Sequence, residues 1–403
     1  MPKVSEKPGT KTRQPSTARG SNQSEMRAYN ERLILSHLRA RGPMAKAEIA
    51  RTTGLSAQTA SVIMRKLEGD GLIERCAPVR GKVGQPSVPM RLAPEGALFF
   101  GLKVGRRSTD LVLVDFLGRV IDGKHRTYRY PSPDGTLKFV QVSVEEITGG
   151  LSARQQERIA GLGIAIPGYL WEWAATIGEP PEKMAAWRDR DIRAEIERLY
   201  DFPVYLQNDA SSACSAELVF GQADYPPEFL YFYVGYFVGG GVVLNGALFT
   251  GPTENAGAIG PLHVPTRDGG MKPLIDVASV SCLEKAILQS GGDPADLWET
   301  SASWQVDAVM LGAWLEQTAE GLALTIAASL SFIDFPLAVI DGWLPNSVRR
   351  DLVEITKRKL FQLDLAGLNK PEIREGTIGP EARALGAASL PLLQRFLVQA
   401  RAF

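Results

Sequence analysis

Two helices joined by a tight turn are the feature of this sequence that most restricts its fold. Between residues 46 and 56, apolar positions such as Ile49 share one helical face, and Gly54 permits a sharp turn. Ser56 is a good N-cap, so we expect the next helix over residues 57–68. This spacing predicts a helix-turn-helix.

The second of these helices has an apolar face and a polar face. At three- and four-residue steps come the apolar residues Ala60, Ile63, Met64 and Leu67. The opposite face carries short hydrogen-bonding groups and one cation, namely Gln58, Thr59, Ser61 and Arg65. Such a surface suits the base edges and phosphates of a DNA major groove. We therefore expect this face, together with Ser56, to contact DNA.

A basic loop follows the two helices. Short strands are expected at residues 71–75 and 88–92, with a first helix over 27–40, so that residues 26–92 form a winged helix-turn-helix. The glycine-rich loop between the strands is expected to follow a phosphate backbone or to enter a minor groove. We assign its DNA contacts to Arg80, Lys82 and Gln85. The alternative is a hairpin tip that makes no DNA contact.

Charge is divided unevenly along the 403 residues, although the net charge is zero. Residues 1–95 hold 17 Lys and Arg against 8 Asp and Glu, a net of +9, and the remainder has a net of −9. A basic module on an acidic body is typical of a polyanion reader fused to a sensor, and an ordinary enzyme with a charged tail is the weaker interpretation. Residues 1–25 are expected to form a disordered basic arm.

Cysteine usage and hydropathy indicate the cellular compartment. The three cysteines, Cys76, Cys214 and Cys282, are scattered and form no CxxC pair, which is typical of a reducing environment. No apolar run approaches the roughly 20 residues that span a bilayer. We therefore expect a cytoplasmic location and no membrane partner.

Alternating strand and helix patterns extend from residue 97 onward. Strands are predicted at residues 99–105, 110–115, 118–121, 159–166, 204–206, 229–234, 241–244 and 338–340. Helices are predicted at residues 137–148, 191–200, 306–332 and 380–402. The alternation predicts an α/β body with a mixed sheet, and no internal repeat is evident in the sequence.

Four segments of this body, in order, resemble the ROK family of repressors, open reading frames and sugar kinases. They are the strand and Pro-Gly of residues 161–168, the Pro-Val-x-x-x-Asn-Asp-Ala of 203–210, the glycine turn of 239–248 and the Ala-Gly-x-Ile-Gly of 256–261. The resemblance implies a two-lobed, actin-like, sugar-kinase-like fold of the ribonuclease H-like ATPase class over residues 97–403. It also implies a lobe boundary near residue 205 and a C-terminal helix that returns to the first lobe.

The same resemblance implies a sugar-binding cleft between the lobes. Asn208 and Asp209 match the pair that binds sugar hydroxyls in the family, and Glu284 matches its sugar-contacting glutamate. Ala258 and Pro261 stand where the family has Glu and His, so a plain hexose loses two polar partners. Stacking near the cleft and packing in the core are the two roles open to Trp171, Trp173 and Trp187.

The phosphate loops of the family are not preserved. Where the family has Asp-x-Gly-x-Thr, this chain has Lys103 in place of the carboxylate, followed by Arg106 and Arg107. The second loop carries Tyr236 and Phe237 where phosphate oxygens need space. We therefore expect no ATP binding. For the two arginines, a solvated hairpin end is the preferred interpretation, and binding of some other anion is the alternative.

The structural zinc site of the family is reduced to one ligand. Cys282 remains, but Ile275 and Val277 occupy two of the cysteine positions and Pro261 occupies the histidine position. One thiolate cannot form a tetrahedral site. We therefore expect no metal, no cofactor and no catalytic residue.

These features predict a sequence-specific DNA-binding transcriptional regulator of the repressor type, with a non-catalytic body that senses a sugar or sugar derivative. Because one reading helix covers few base pairs, we expect it to bind palindromic operator DNA as a homodimer or a dimer of dimers. One alternative is an active ROK sugar kinase, which ATP turnover on a hexose would reveal. The other is a regulator whose body only dimerises, and retention of Asn208, Asp209 and Glu284 weighs against it.

Overall fold

The N-terminal module consists of three helices and a two-stranded sheet. A computed structural model describes residues 23–78, 88–174, 180–221, 224–266 and 269–398 of the chain. In order, the elements of the module are α1 (Gln23–Arg41), α2 (Lys46–Thr53), α3 (Ala57–Gly69), β1 (Ile73–Arg75) and β2 (Met90–Leu92). β1 pairs with β2 in antiparallel fashion, as expected for a winged helix-turn-helix.

The local signals that predict α3 are present in the structure. The backbone N–H of Thr59 donates to Ser56 Oγ over 3.1 Å, so Ser56 caps the helix. Gly54 has a φ of +69°, which a residue with a Cβ adopts only at a cost. α1 begins at Gln23, so the basic arm predicted over residues 1–25 is too long by three residues, and residues 1–22 lie outside the described residues.

The first lobe of the body is built on a five-stranded sheet. Its strands are β3 (Leu98–Val104), β4 (Ser108–Val114), β5 (Val120–Thr127), β6 (Ile159–Ile166) and β7 (Val204–Asn208), with the spatial order β5-β4-β3-β6-β7. The pairs β5/β4 and β4/β3 are antiparallel, whereas β3/β6 and β6/β7 are parallel. Its helices are α4 (Pro133–Gly149), α5 (Ala153–Gln156), α6 (Pro181–Asp189) and α7 (Ile192–Glu197).

The second lobe repeats this strand plan. After α8 (Asp209–Phe220), its sheet contains β8 (Phe229–Val234), β9 (Val238–Leu244), β10 (Ala247–Phe249), β13 (Leu337–Gly342) and β14 (Glu372–Glu375), ordered β10-β9-β8-β13-β14. Again the first two pairs are antiparallel and the last two parallel. The remaining elements are the hairpin β11 (His263–Pro265) and β12 (Met271–Pro273), and the helices α9 (Val280–Gln289), α10 (Asp296–Glu299), α11 (Ala308–Leu330) and α12 (Asn346–Gln362).

The final helix, α13 (Ala382–Phe396), lies against the first lobe and against α8. Three glycines allow this contact. A Cβ at Gly101 of β3 would lie 2.1 Å from the Ala384 carbonyl oxygen, and one at Gly163 of β6 would lie 1.8 Å from that of Ala387. A Cβ at Gly386 of α13 would lie 1.7 Å from the Ser212 carbonyl oxygen of α8. Side chains at these positions would push α13 off the sheet and off α8.

Arg39 of α1 ties the N-terminal module to the body. Its Nη1 donates to the carbonyl oxygen of Phe116 over 2.9 Å, and its Nη2 donates to that of Val219 over 3.1 Å. Its guanidinium lies 4.8 Å from the centre of the Phe220 ring. Burial lowers the pKa of Arg39 to about 10, although the charge of Asp115 opposes that shift.

Further hydrogen bonds and apolar contacts join the N-terminal module to the body. The backbone N–H of Val398, just after α13, donates to Ser36 Oγ of α1 over 2.9 Å, and Arg158 Nη1 donates to the carbonyl oxygen of Asp70 over 2.6 Å. Apolar side chains of both parts share one buried cluster, in which Leu38 of the module belongs with Phe116 of the body. The module therefore packs on the body as one folded unit. No helix in the described part of the chain is long and apolar enough to cross a membrane.

Candidate DNA-binding surface and interlobe cleft

The outward face of α3 presents most of the predicted DNA contacts. The inward stripe of Ala60, Ile63, Met64 and Leu67 is buried. Gln58, Thr59 and Arg65 are exposed, and Ser61 is half-buried beside them. Ser56 is exposed too, but its hydroxyl already accepts the capping hydrogen bond and lies 2.8 Å from Thr59 Oγ1. It positions the start of the helix as well as facing outward.

One residue on this face is missing from the sequence-based assignment. Val62 is 50% exposed and lies on the same helical stripe as Gln58 and Arg65. Its apolar side chain suits contact with a thymine methyl group. The signal in the sequence was its position opposite the buried stripe, which an emphasis on polar side chains overlooks.

The cations near α3 differ in their availability. Lys66 is engaged by Glu31 at 3.1 Å and by Asp70 at 2.9 Å. Arg65 has no ion-pair partner within the described ranges, so it is the cation of α3 that faces solvent unengaged. Arg80, Lys82 and Gln85, predicted to contact DNA from the wing, lie outside the described residues.

Asn208 and Asp209 occupy the junction between β7 and α8. Asn208 is the N-cap of α8, and its Oδ1 accepts hydrogen bonds from the backbone N–H groups of Ala210 and Ser211 over 3.0 and 3.2 Å. Asp209 Oδ2 lies 3.3 Å from Nη1 of Arg383 on α13, and both side chains are largely buried. The amide oxygen of Asn208 thus serves the helix, and the carboxylate of Asp209 has a cationic partner.

Glu284 also has partners within the protein. Its Oε1 accepts a hydrogen bond from Nε1 of Trp298 over 2.9 Å and lies 3.7 Å from Nη2 of Arg107. Glu284 stands on α9 of the second lobe, whereas Arg107 follows β3 of the first lobe. The contact therefore bridges the two lobes across the cleft.

The expectation that Arg106 and Arg107 form a solvated hairpin end is wrong. Arg106 is only 8% exposed, and its guanidinium lies 4.2 Å from the ring centre of Phe237 and 4.9 Å from that of Trp173. The Arg107 guanidinium lies 5.5 Å from the ring centre of Tyr236. The physical reason is that the two rings of the second lobe face the arginines and stack on them, which buries Arg106 and leaves the Arg107 side chain 28% exposed.

Lys103 stands in place of the family's carboxylate, and its positive charge is balanced by a neighbouring carboxylate. Its Nζ donates to Asp110 Oδ2 and to Ser108 Oγ, both over 2.6 Å, and His125 Nδ1 contacts the other oxygen of Asp110. Burial lowers the pKa of Lys103. Burial alone would raise the pKa of Asp110, but the charge of Lys103 and the hydrogen bonds from His125 and Lys103 hold it well below its usual range.

This arrangement does not fit a magnesium nucleotide. A triphosphate needs free backbone amides and small side chains, together with a carboxylate that is open to the metal. Here Lys103 occupies the carboxylate position, and Tyr236 and Phe237 are buried against the arginines of the facing loop. In the first loop the charged side chain of Lys103 is paired with another residue of the protein, and in the second loop side chains fill the space that phosphates would need.

The donor set for zinc is equally incomplete. Cys282 is half-buried, and its thiol lies 3.9 Å from the carbonyl oxygen of Ile275. His263 Nδ1 lies 3.1 Å from the carbonyl oxygen of Pro261. Among the described residues, no group of three or more His, Cys, Asp and Glu side chains could hold a metal ion.

The three tryptophans of the first lobe separate into different roles. Trp187 is buried in the core of that lobe and donates from Nε1 to the carbonyl oxygen of Pro131 over 3.0 Å. Trp173 lies in the cleft with its ring centre 4.8 Å from that of Phe237. Trp171 packs edge-on against Tyr169. Of these three, Trp173 contacts the aromatic turn of the second lobe within the described ranges.

Comparison with known families agrees with this organisation. The profile of the ROK family matches residues 99–392, and a winged helix-turn-helix DNA-binding profile matches residues 27–74. The chain belongs to the ROK family. The predicted fold class, a winged helix-turn-helix followed by a sugar-kinase-like α/β body, is confirmed.

Individual relatives are distant in sequence. The chain is 23% identical to the xylose repressor of Bacillus subtilis over 246 residues, which are 60% of this chain and 62% of the repressor. A crystal structure of a ROK family transcriptional regulator, a homologue of the E. coli MLC protein, has a TM-score of 0.65 at 19% identity and covers 91% of this chain and 96% of that one. A Streptomyces griseus ROK glucokinase, in complex with glucose and AMPPNP, has a TM-score of 0.55 at 19% identity, with coverages of 73% and 99%. These similarities show the shared fold.

Proposed function

We propose that the protein is a transcriptional repressor that binds operator DNA through α3 and senses a small sugar-derived effector in its ROK body. The observation that carries the proposal is the outward stripe of α3, where exposed Gln58 and Arg65 lie opposite a fully buried stripe on a capped helix. Such a helix can enter a major groove without unfolding any part of its own core. The xylose repressor among the relatives supports the repressor role.

The wing and the oligomeric state extend the proposal. We propose that Arg80, Lys82 and Gln85 contact the phosphate backbone beside the groove read by α3. We also propose a homodimer, or a dimer of dimers, on a palindromic site, because a single α3 reads too few base pairs for specificity.

Sugar kinase activity is the second candidate, because the body shares its fold with a ROK glucokinase. The filled phosphate loops favour a non-catalytic body. Lys103 stands at the carboxylate position with Asp110 bound to it, and Phe237 is held between the arginine loop and Trp173. Phosphorylation of a hexose would require these contacts to part and a metal-binding carboxylate to be supplied from elsewhere.

DNA recognition is tested by selecting the preferred sequence of the full chain from random duplexes and then measuring affinity by fluorescence anisotropy. Gln58→Ala should relax preference at one base pair by about 1–3 kcal/mol. Lys82→Ala should weaken all duplexes alike and reduce the dependence of affinity on salt. Arg154→Ala, an exposed change on the body, is the matched control. Unchanged sequence preference in the Gln58 variant would contradict the assignment of α3 as the reading helix.

Effector sensing is tested with the same duplex and a panel of neutral sugars, sugar acids and sugar phosphates. We propose that Asn208, Asp209 and Glu284 bind the effector. When it binds, the effector takes the place of Arg383 beside Asp209 and of Arg107 beside Glu284. Asp209→Asn keeps the size and removes the charge, so it should abolish the effector response while operator affinity without effector stays nearly unchanged. If no member of the panel alters operator affinity, the regulator whose body only dimerises becomes the better account.

A further inference from the structure

Arg106 is a buried cation without an anionic partner. Its guanidinium makes no hydrogen bond or ion pair with any residue that the structure describes, and its Nε is buried and unpartnered. Its side chain contacts the rings of Phe237 and Trp173 instead. Ring faces attract the positive charge but do not accept the N–H groups, which lie in the plane of the guanidinium. Buried charges in folded proteins are normally paired with an anion, so Arg106 points to a ligand.

The nearby acids are committed to other cations. Asp110 is bound to Lys103 and contacted by His125. Asp209 is paired with Arg383. The remaining one, Glu284, is shared between Arg107 and Trp298. Burial lowers the pKa of Arg106 to about 10, and the charge of Asp209 opposes that shift. None of the three carboxylates forms an ion pair with Arg106, so its buried Nε has no partner among the described residues.

A small cavity collects the unsatisfied donors. It has a volume of about 20 Å³ and is lined by four cationic side chains, with Ser108, Thr127 and three aromatic residues around them. The cations are Lys103, Arg106, Arg107 and Arg383. The Nε atoms of all three arginines are buried and have no partner among the described residues. A second cavity of about 210 Å³ shares the side chains of Lys103, Arg383 and Trp343 with it, and gives room for the remainder of a ligand.

We propose that this cavity binds the acidic group of a small molecule, a carboxylate or a phosphate, against the guanidinium of Arg106 with Arg107 and Arg383 beside it. The inference rests on the proposed sensing function and makes the effector an acid rather than a neutral sugar. Because Phe237 and Trp173 contact the guanidinium as ring faces, its N–H edge is left for bidentate recognition of two oxygens.

The size of the cavity explains how the ligand enters. A volume of about 20 Å³ holds one water molecule, so an oxyanion needs the arginine and aromatic turns to separate slightly. The contact that must lengthen is the one between Arg107 and Glu284, which at 3.7 Å is already long for an ion pair. Acid binding is therefore coupled to the distance between the lobes.

The test compares melting temperatures of the full chain with four probes at matched ionic strength: inorganic phosphate, glucose 6-phosphate, glucuronate and glucose. At a hundredfold excess over Kd, an acidic probe should raise the melting temperature by about 3 °C, and glucose should not. A response to glucose 6-phosphate and phosphate identifies a phosphate site, whereas a response to glucuronate alone identifies a carboxylate site. If none of the three acids raises the melting temperature, the proposal is wrong.

Two variants separate a binding role from a packing role. Arg106→Met keeps an apolar stem beside the rings and removes the guanidinium, so the melting temperature without probe should hold or rise while the response to acids disappears. Arg188→Met removes another arginine that faces a tryptophan, Trp171 at 5.9 Å, and should leave the response intact. A persistent response in the Arg106 variant would overturn the assignment.

Operator binding distinguishes this inference from the function on which it rests. Anisotropy is measured on the same preparations, with the duplex selected for the full chain. Operator binding combined with no acid response removes only the acid site. An acid response in a protein that binds no duplex contradicts the repressor function and leaves the Arg106 site standing.

Discussion

The two lobes of the body use one strand plan but carry opposite chemistry in their first hairpin turns. The turn between β3 and β4 contains Arg106 and Arg107, and the turn between β8 and β9 contains Tyr236 and Phe237. The turns meet across the cleft, with each arginine over one ring. The first hairpin turns of the two lobes therefore form a complementary pair of cations and aromatic rings.

The pairing joins the two lobes. Cation–π contacts between the turns and the Arg107–Glu284 contact cross the cleft. The two turns differ in the free-energy change that accompanies their burial. Burial stabilises the aromatic residues, whereas the buried Arg106 loses hydration that a hydrogen-bonding partner would replace.

The strongest test of the comparison is truncation on the aromatic side. Phe237→Ala removes a ring that is 8% exposed and packed against Trp173, and should lower the free energy of unfolding by about 3–5 kcal/mol in urea titrations. Phe361→Ala, at a site 70% exposed, should change it by less than about 0.5 kcal/mol. Equal effects of the two changes would mean that the turn contributes no core packing.

The next test concerns the buried pair behind the arginine turn. Asp110→Asn leaves the charge of Lys103 without its partner and should lower the free energy of unfolding by about 1–3 kcal/mol at neutral pH. The pKa of Asp110 is lowered in the folded protein, so its contribution is present above the usual carboxyl value of 3.8 and is lost as the pH falls below it.

Stability curves of the Asp110 variant and the wild type should therefore converge as the pH falls below 3.8. Glu146→Gln, which breaks an exposed pair with Lys124, serves as the control and should have little effect at any pH. A constant difference between Asp110→Asn and the wild type down to acid pH would indicate a packing defect rather than a lost charge.

A smaller effect is expected on the arginine side. Arg107→Met removes the 3.7 Å contact with Glu284 and the stacking on Tyr236, and should lower the free energy of unfolding by about 1 kcal/mol or less. Urea titration of Arg107→Met and Phe237→Ala under the same conditions compares the two losses in the free energy of unfolding. A loss as large as that of Phe237→Ala would reverse the comparison and make the arginine turn the main link between the lobes.

The smallest expected effect is that of the nucleotide itself. Magnesium ATP at millimolar concentration should leave the melting temperature unchanged, because Lys103 stands at the position of the metal-binding carboxylate and Phe237 fills space that a triphosphate needs. Even a micromolar site would stabilise the protein by about 4 kcal/mol under those conditions, so the measurement is sensitive. A clear rise would show that the two turns can part far enough to accommodate a triphosphate.

Local sequence signals located the fold well where each element carries its own pattern. The capped α3 and the apolar strands β6 and β8 agree with the structure almost to the residue. β14 and α12 were missed, since α12 has a largely polar sequence and β14 is a short edge strand. The repeated strand order was invisible because it depends on pairing between distant strands, which leaves no local pattern.

Charged side chains of the cleft were harder to predict than its fold. The sequence identifies Asp209 and Glu284 by their motifs, but their partners Arg383 and Arg107 are far away along the chain. Arg106 looked like a surface residue because hairpin turns are usually solvated. Its burial depends on Phe237, more than a hundred residues later, so no local pattern could reveal it.

The position of α13 has a consequence for how the protein is made. This helix covers the faces of β3 and β6 and contacts α8, yet it follows β3 by about 280 residues. At about 5–20 residues per second, a ribosome needs roughly 15–60 s between the two. Throughout that interval the sheet of the first lobe has an uncovered apolar side, and α1 lacks the neighbour that Val398 later brings to Ser36. The DNA-binding module therefore reaches its final place only after synthesis of α13.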